Sequence, residues 1–535
     1  MANSISAAQA MPSTIEYGFR RIIITITLIS CTLLEMIDTS IVNVATTQLM
    51  GNLGCTMSEI SWVVAAYSIA NVIVVPMSAW LSIRFGRRNY FGGSVILFTI
   101  ASVLCGNSTN IWELVFFRFV QGLGGGALLA TSQTILTEIY PPQDRGKASA
   151  LYGMGVIMGP TLGPLMGGYI VDNFDWPMIF YVNIPIGIIA AFLTFTFIKD
   201  AAYVDEKMRK MGVDWIGIFL LVVGVGALQF ILEKGEEKDW FETTYISVAT
   251  VIAIAGVLLF ILWETRWAKN PVVDFSILGK GNVGIGTILS FILGFGLFSS
   301  VFIYPIFVQR FLGFTALQTG LSLLPGALAS GFMMPIVGTM LAKGFKPRLM
   351  IPFGLFIFAA FTFSMSQILT PQTGNESFTV PLLIRGIGLG FLFVPLTTMT
   401  LGGLHGRDIG SAAGLTGMIR QLGGSFGVAL CSTFIGHMSY IHRADLVNHI
   451  SLYEPATTER IQQLTMGLLA RATSFSAATQ QAYGALEMAV LKQATVLTYI
   501  DTFMYLGLFF IACIPLVLFA KDLQVDKGTD TSGGH

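Results

Sequence analysis

The chain has 535 residues, of which 54% are hydrophobic and only 11% are charged, and its mean hydropathy is +0.72. Because about a quarter of the residues in a soluble domain are charged, this composition excludes a protein whose whole surface faces water. The net charge is zero, which removes the bulk electrostatic basis for binding nucleic acid.

Long apolar runs divide the chain into about fourteen predicted spans. Roughly 20 apolar residues cross a bilayer as a helix, and only helices or closed barrels can cross it. The first run follows Arg20 and Arg21 and is too long for the core of a signal peptide, so we interpret it as the first span. We therefore expect an all-α polytopic membrane protein with spans at about 21–45, 59–83, 90–108, 111–137, 147–170, 178–198, 213–233, 245–265, 283–307, 316–342, 349–369, 379–402, 414–438 and 499–520.

The first predicted span contains two carboxylates, Glu35 and Asp38, which share one helix face because they are three residues apart. Ionisable groups inside a span are costly and are functional candidates by default. At about 1.5 Å per residue they lie roughly 21 and 26 Å beyond Arg21, and Arg118 of the fourth span lies roughly 11 Å from the outer side. These depths agree, so we expect an Arg118–carboxylate contact. It is either a proton-coupling site, with Asp38 as the first choice of proton carrier, or a static ion pair.

Regularly spaced glycines and prolines mark the fifth span. Glycine lets helices approach closely, while proline deletes a backbone donor and permits bending. Helix packing explains any one of these glycines alone, but the regularly spaced set is a more specific signal of a functional helix. The set is Gly155, Gly159, Pro160, Gly163, Pro164, Gly167 and Gly168.

Polar residues in or near other spans are candidates for lining a substrate cavity, and helix–helix hydrogen bonds explain them equally well. They are Asn43, Gln121, Tyr304 and Gln309.

An internal repeat relates residues 53–88 to residues 312–347 without gaps. Thr56 falls on Thr315, and the region around Arg118 resembles that around Arg385. Such repeats indicate a transporter built from two related halves. The offset equals eight spans, which predicts a six-helix bundle, two inserted helices and a second six-helix bundle, at residues 1–198, 199–282 and 283–535.

The longest predicted segment outside the membrane is at about 439–498, on the outer side. Thr457 and Thr458 are candidate caps for a helix that carries Ile461, Leu464 and Leu468 on one face. Amphipathic helices outside a membrane need a surface to contact, which is either the protein itself or a periplasmic partner.

Basic residues orient the spans because they are enriched in cytoplasmic loops. With both ends cytoplasmic, 20 of the 30 lysines and arginines lie inside, seven lie outside, and three lie within spans. This bias predicts that both termini face the cytoplasm.

The sequence resembles the EmrB/QacA-type, fourteen-helix drug:proton antiporters of the major facilitator superfamily over nearly its whole length. The motifs that carry the resemblance begin at Asp38 in the first span, Phe117-Arg118 in the fourth, Gly155 in the fifth and Trp176 before the sixth. The resemblance implies a major facilitator fold and drug efflux coupled to proton entry across a bacterial inner membrane. It also implies coupling roles for Asp38 and Arg118 and identifies Gly155 to Gly168 as the antiporter motif. A transporter of this kind is expected to use the proton gradient and no cofactor.

The outer segment suggests the branch that works with a periplasmic adaptor protein and an outer-membrane channel. One motif departs from the superfamily pattern. After the second span, Ala79 and Ile83 stand where glycine and aspartate are usual, so the usual aspartate gating contact is expected to be absent.

Other functions remain as alternatives. The same machinery could export an endogenous metabolite, fatty acid or siderophore instead of drugs. A passive channel does not need the charged groups inside the spans. The sequence contains neither a Walker A motif nor a zinc-binding His-Glu-x-x-His motif, which would indicate an ATP-driven protein or a zinc enzyme. The five cysteines have neither metal-site nor redox spacing, so we expect no disulfide and no metal.

Overall fold

A computed structural model describes residues 15–210, 212–470 and 474–521, and all regular secondary structure in these ranges is helical. The first half of the chain forms α1 (Gly18–Leu53), α2 (Met57–Phe85), α3 (Arg87–Gly106), α4 (Ile111–Ile139), α5 (Arg145–Asn173), α6 (Met178–Tyr181) and α7 (Asn183–Phe197). The short α8 (Glu206–Arg209) is followed by α9 (Trp215–Lys234) and α10 (Thr244–Arg266). The second half forms α11 (Val283–Ile306), α12 (Ala316–Ala342), α13 (Pro347–Ile368), α14 (Thr379–Leu401), α15 (Arg407–Asn448), α16 (Pro455–Leu469) and α17 (Phe475–Cys513). The end of the bundle at which α1 begins is called the near end, and the opposite end the far end.

Thirteen helices in the described ranges are long and apolar enough to cross a membrane, against fourteen predicted. The difference is the span predicted at 414–438, which lies inside the 42-residue helix α15. This helix is less apolar than the others and carries Arg420, but it is an inner member of the bundle. Its glycines fit against phenylalanines of α11, as Gly424 does against Phe298. The predicted all-α, multi-pass fold is confirmed.

The segment predicted to lie outside the membrane is largely helical. At about 1.5 Å per residue, α15 is roughly 63 Å long, about twice the thickness of a bilayer core, so its far end projects beyond the other spans. Two contacts join this projection to α17: His442 Nε2 lies 2.8 Å from Asp501 Oδ2, and Arg443 pairs with Glu487 at 2.7 Å.

The predicted cap of the helix in this segment is wrong. Thr457 and Thr458 lie inside α16, which begins two residues earlier at Pro455 with Glu454 as its N-cap. Proline is favoured at the first helical position, because its missing N–H would have no partner there and its φ is already helical.

The predicted repeat has matching local structure in both halves. Thr56 and Glu59 form a capping box at the start of α2, and Thr315 and Gln318 form the same box at the start of α12. The glycines two residues before each threonine, Gly54 and Gly313, both adopt the left-handed conformation, with φ of 62° and 75°. The second helix of each half therefore starts in the same way.

Helix α5 is the main link between the two halves. It contacts α12 from the near end, where Gly146 approaches Gly338, to the far end, where Gly168 approaches Leu317. A second contact joins α2 to α15, with Gly414 against Val75. A side chain at any of these glycines would separate the helices, so the halves meet through backbone-to-backbone approach.

Helix α9 lies beside both α2 and α15. Trp62 of α2 stacks on Phe230 at a centroid distance of 5.5 Å, and Gln229 donates to Ser425 of α15 at 2.7 Å. Helix α9 is therefore attached to both halves, and α10 packs against α9.

Candidate functional site

A buried ion pair joins α1 to α4. Arg118 Nη1 donates to Asp38 Oδ2 at 2.5 Å, and the two side chains are 1% and 0% exposed. A charge in a low-dielectric interior is tolerated when a partner of opposite charge and further hydrogen bonds compensate for lost hydration. The contact expected from the helix depths is present, and the carboxylate that makes it is Asp38.

Three neutral side chains complete the surroundings of this pair. Gln121 Nε2 and Asn183 Nδ2 each donate to Asp38 Oδ1 at 2.8 Å, while Gln121 Oε1 accepts from Arg118 Nη1 at 2.8 Å. Ser102 Oγ accepts a further hydrogen bond from Gln121 at 2.8 Å. Since an ionised carboxylate only accepts, a proton on Asp38 would turn one acceptor into a donor and force these contacts to rearrange. Protonation of Asp38 is therefore linked to the contacts among α1, α3, α4 and α7.

Glu35 lies one helical turn from Asp38 but binds a different helix, α2. Its Oε1 accepts from Asn71 Nδ2 at 2.8 Å and from the Tyr67 hydroxyl at 3.4 Å, and its Oε2 has no hydrogen-bond partner among the described residues. Tyr67 links the two carboxylates, because its ring centroid lies 4.1 Å from the guanidinium carbon of Arg118. The first-half polar cluster, as we call it below, consists of Glu35, Asp38, Tyr67, Asn71, Ser102, Arg118, Gln121 and Asn183.

The glycines of α5 place α1 and therefore the two carboxylates. Gly155, Gly159, Gly163 and Gly167 recur every four residues and face α1; a Cβ on Gly163 would lie only 1.9 Å from Ser40 Oγ. Gly168 faces the other way, towards α12. Pro160 and Pro164 lie inside the same helix, where each removes a backbone donor. Helix α5 therefore touches the carboxylate-bearing helix on one face and the second half on another.

The four predicted cavity residues fall into two groups. Gln121 and Tyr304 are fully buried, and protein groups take up their hydrogen bonds; the Tyr304 hydroxyl donates to Ser322 at 2.7 Å. These are the helix–helix hydrogen bonds given as the alternative explanation. Asn43 is exposed and Gln309 is half-buried, and a cavity-lining role for these two stays a prediction.

The second half has an arginine at the position related to Arg118, but no described carboxylate forms an ion pair with it. Arg385 is 3% exposed, its Nε donates to Ser300 Oγ at 3.0 Å, and its Nη2 has no hydrogen-bond partner among the described residues. The ion-pair chemistry of the first half is therefore not repeated here.

A second group of charged residues closes the near end of the first half. Arg87 pairs with Glu138 in a buried salt bridge, and the Tyr203 hydroxyl donates to Glu138 at 3.1 Å. The Tyr203 ring lies next to Gly406, where α15 begins in the second half. Burial and the neighbouring Glu138 carboxylate raise the pKa of Tyr203, so it stays a neutral donor. The loop after α7 thus lies between the two halves.

A carboxylate is present at the loop after α2, although the motif aspartate is replaced by Ile83. Asp200, from the loop after α7, accepts the backbone N–H of Arg88 at 3.1 Å and pairs with Arg209 at 2.6 Å. It therefore places a negative charge at the start of α3, where the helix dipole favours one. Position 83 itself is an isoleucine, and the carboxylate near the start of α3 comes from Asp200 instead.

Sequence reasoning missed Tyr67, Asn71, Ser102 and Asn183 as members of the cluster. One signal was available for α2: Tyr67 and Asn71 are four residues apart in an otherwise apolar run, which places both on one face. Asn183 lies in the motif that begins at Trp176 before the sixth predicted span. Its contact with Asp38 depends on how α7 is rotated about its axis, which an apolar pattern does not fix.

Comparison with known proteins identifies a family. The sequence matches the model of the Major Facilitator Superfamily over residues 28–428. It is 32% identical over 521 residues to the multidrug export protein EmrB of Escherichia coli strain K12, which covers 97% of this chain and 98% of the relative. It is also 32% identical over 513 residues to the fatty acid resistance protein FarB of Neisseria gonorrhoeae, which covers 96% of this chain and 97% of the relative.

Solved structures share the fold at lower identity. The proton:xylose symporter XylE superposes with a TM-score of 0.58 at 16% identity, over 94% of this chain and 96% of that chain. The human organic anion transporter MFSD10 superposes with a TM-score of 0.57 at 12% identity, over 94% of this chain and 100% of that chain. At these identities the likeness concerns the fold alone.

Proposed function

The chain belongs to the Major Facilitator Superfamily, and from this premise we propose that it is a proton-coupled multidrug exporter. It moves hydrophobic or amphipathic compounds out of the cytoplasm or the inner membrane by alternating access. The near-full-length likeness to EmrB supports export, and the Asp38–Arg118 pair supports coupling to protons. No cofactor is required, since each proton that enters releases about 2.3 kcal/mol per 100 mV of membrane potential.

Asp38 is the proposed proton carrier, with Arg118 and Glu35 as its coupling partners. Arg118 binds Asp38 while the carboxylate is ionised, and a proton on Asp38 removes the charge that holds the pair together. Releasing the pair frees α1 from α4, and α5 transmits that motion towards α12 through its glycines. The coordinated change of proton occupancy and helix contacts is what an antiporter needs.

Transport in proteoliposomes tests this proposal. An imposed pH gradient should drive dye transport by the wild type, while Asp38→Asn should lose the dependence on the gradient. Asp172→Asn is the matched control, because it removes an exposed carboxylate at the far end of α5. Retained coupling in Asp38→Asn would shift the carrier role to Glu35, and Glu35→Gln would then be the variant that loses it. A wild type that ignores the gradient would refute the antiporter proposal.

The excess of basic residues in the near-end loops supports an orientation with both ends in the cytoplasm of a bacterium. In this orientation the six-helix bundles and the two inserted helices occupy the inner membrane, and α16 faces the periplasm. Cysteine labelling with a membrane-impermeant maleimide checks it: a cysteine at Tyr453 should react in intact cells, and one at Lys346 only after lysis.

We also propose that the far-end helices bind a periplasmic adaptor protein, which connects the exporter to an outer-membrane channel. Exposed apolar side chains support this role: Tyr453 is 98% exposed and Met466 is 66% exposed on a segment outside the predicted spans. Such side chains are typical of protein–protein contact sites.

The variant Tyr453→Asp with Met466→Asp separates this role from transport. Efflux from intact cells should fall, while gradient-driven transport in vesicles should match the wild type. Gln462→Asp, an exposed change on the same helix, is the control and should leave both unchanged. Loss of vesicle transport in the double variant would contradict the adaptor proposal.

A further inference from the structure

Arg420 of α15 is a buried cation without an anionic partner. Its side chain is 5% exposed, and no carboxylate in the described part of the chain forms an ion pair with it. Its described side-chain hydrogen bond is a long one, from Nη2 to the Tyr152 hydroxyl at 3.4 Å. The guanidinium carbon lies 5.2 Å from the ring centroid of Phe393 and 6.0 Å from that of Tyr152.

An unpaired arginine is costly at this depth. Arginine stays charged in proteins, so it cannot escape the cost of burial by losing its proton. Two aromatic rings offset part of that cost through cation–π contacts but supply no negative charge. The nearby carboxylate of Glu35 accepts its described hydrogen bonds from Tyr67 and Asn71 and forms no ion pair with Arg420.

The position of Arg420 is that of a substrate site. Tyr152 belongs to α5 in the first half, whereas Arg420 and Phe393 belong to the second half, so the three side chains lie at the interface between the halves. Arg420 is thirteen residues from the start of α15, roughly 20 Å along the helix, which places it well inside the membrane. Transporters of this kind bind substrates between their repeats near the middle of the bilayer.

We propose that Arg420, Tyr152 and Phe393 bind the anionic head group of an amphipathic monoanion, such as a long-chain carboxylate. The guanidinium fork takes a carboxylate through two parallel hydrogen bonds, the Tyr152 hydroxyl donates a third, and Phe393 contacts the first carbons of the apolar chain. This inference rests on the proposed export function and names a substrate class for it.

Direct binding to the purified full-length protein tests the site. The probe pair is 12-(9-anthroyloxy)stearic acid and its methyl ester at pH 8, which differ in the charge of the head group and share the fluorescent chain. The wild type should bind the acid at least tenfold more tightly than the ester. Equal affinities for acid and ester in the wild type would overturn the proposal without any variant.

Substitutions assign that preference to Arg420. Arg420→Gln should abolish the preference for the acid and leave the affinity for the ester unchanged. Arg385→Gln, which also removes a buried arginine without a carboxylate partner, is the matched control and should keep it. An unchanged acid preference in Arg420→Gln, or an equal loss in Arg385→Gln, would overturn the assignment.

A third variant keeps the test decisive if Arg420→Gln does not fold. Arg420→Lys retains the charge but not the fork, so it should lower the acid preference at least threefold; full retention would count against the site. Gradient-driven transport of the same fluorescent acid by the wild type tests the export proposal separately. A tenfold acid preference without such transport would refute the antiporter and leave the binding site standing.

Discussion

The two halves of the molecule share a scaffold but differ in charge at equivalent places. In the first half, Arg118 binds Asp38 at 2.5 Å and two amides complete the contact. In the second half, Arg385 Nε donates to the neutral hydroxyl of Ser300 at 3.0 Å, and Nη2 has no hydrogen-bond partner in the described ranges. The capping boxes at the starts of α2 and α12 are nevertheless the same.

This difference separates what the repeat conserves from what it does not. Caps and glycine contacts build two similar bundles, whereas, among the described residues, a carboxylate partner for the related arginine is present in only one of them. Under the proposed mechanism, a proton on Asp38 would change contacts in the first half, and the second half would respond through the interface helices. The proposal therefore assigns proton binding to one half, while the other half holds buried arginines for which the described residues supply no carboxylate partner.

The largest expected effect on the free energy of unfolding comes from replacing Arg118, and replacing Arg385 provides the comparison. Arg118→Gln leaves Asp38 buried without its cation, which should destabilise the protein by about 3–5 kcal/mol. Arg385→Gln strands no charge, so its cost should stay below about 1 kcal/mol. Unfolding in detergent, followed by tryptophan fluorescence, compares the two variants. Equal losses of unfolding free energy in the two variants would mean that the arginines of the two halves do not differ in their dependence on a carboxylate partner.

A double variant sharpens the comparison. Asp38→Asn together with Arg118→Gln removes both charges, so it should recover about 2–3 kcal/mol relative to Arg118→Gln alone. Proton coupling should remain lost, because no titratable carboxylate is left at that position. The same unfolding assay and the proteoliposome assay measure the two results. Additive destabilisation would show that the pair contributes little as a pair.

Gly163→Ala tests the contact that places the first-half carboxylates. Its Cβ would lie 1.9 Å from Ser40 Oγ, which can rotate away, but also 2.9 Å from Ser40 Cβ and 3.0 Å from Ile41 N. Helices α1 and α5 must therefore shift apart, at a cost of about 1–3 kcal/mol. Gradient-driven transport should also fall, since α1 carries Asp38. The control is Gly51→Ala in α1, where no neighbouring atom lies within 4 Å of the added Cβ. Similar stability of both variants would remove the proposed role of the close approach.

The smallest expected effect concerns the attachment of the inserted helices to the first half. Burial acts to raise the pKa of Glu237, but hydrogen bonds from Ser58, Lys234, Lys238 and Ser61 outweigh it and lower the pKa to about 2. A depressed folded-state pKa means that this stabilisation is present above pH 4.5, the ordinary value, and is lost as the pH falls towards 2.

Glu237→Gln should therefore cost about 1 kcal/mol at pH 7, and the difference from the wild type should shrink between about pH 4.5 and pH 2. Thermal unfolding in detergent at a series of pH values measures it. Asp239→Asn, a neighbouring change in the same loop, serves as the control. A difference that stays constant over the whole range would exclude the ionised carboxylate as its source.

The sequence predicted the contact between Arg118 and a carboxylate because helix rise converts residue number into depth, and a charged pair inside a membrane must meet. It also predicted the repeat, because caps and turn glycines are local signals. The partners of Asp38 on other helices depend on the rotation of each helix about its axis, so Asn183 was missed.

Hydropathy alone does not identify α15 as a membrane-spanning helix. That helix is surrounded by other helices and close to the interface between halves, so its sequence can be rich in glycine and can include Arg420. Hydropathy reports contact with lipid, and a helix that touches little lipid gives a weak signal. The glycines of α15, which fit against α11 and α2, are the sequence feature that matches its place among other helices.

The position of Asp200 has an evolutionary consequence. Its carboxylate reaches the start of α3 from a loop far from Ile83 in the chain, and both residues line one small cavity at the near end. A carboxylate from either position would place a negative charge at about the same point in space. Relatives with an aspartate at the position of Ile83 should be free to lose the acidic residue at the position of Asp200. The two positions should therefore covary in an alignment of many relatives. A motif that covers only the segment around Ile83 would miss the carboxylate that Asp200 supplies.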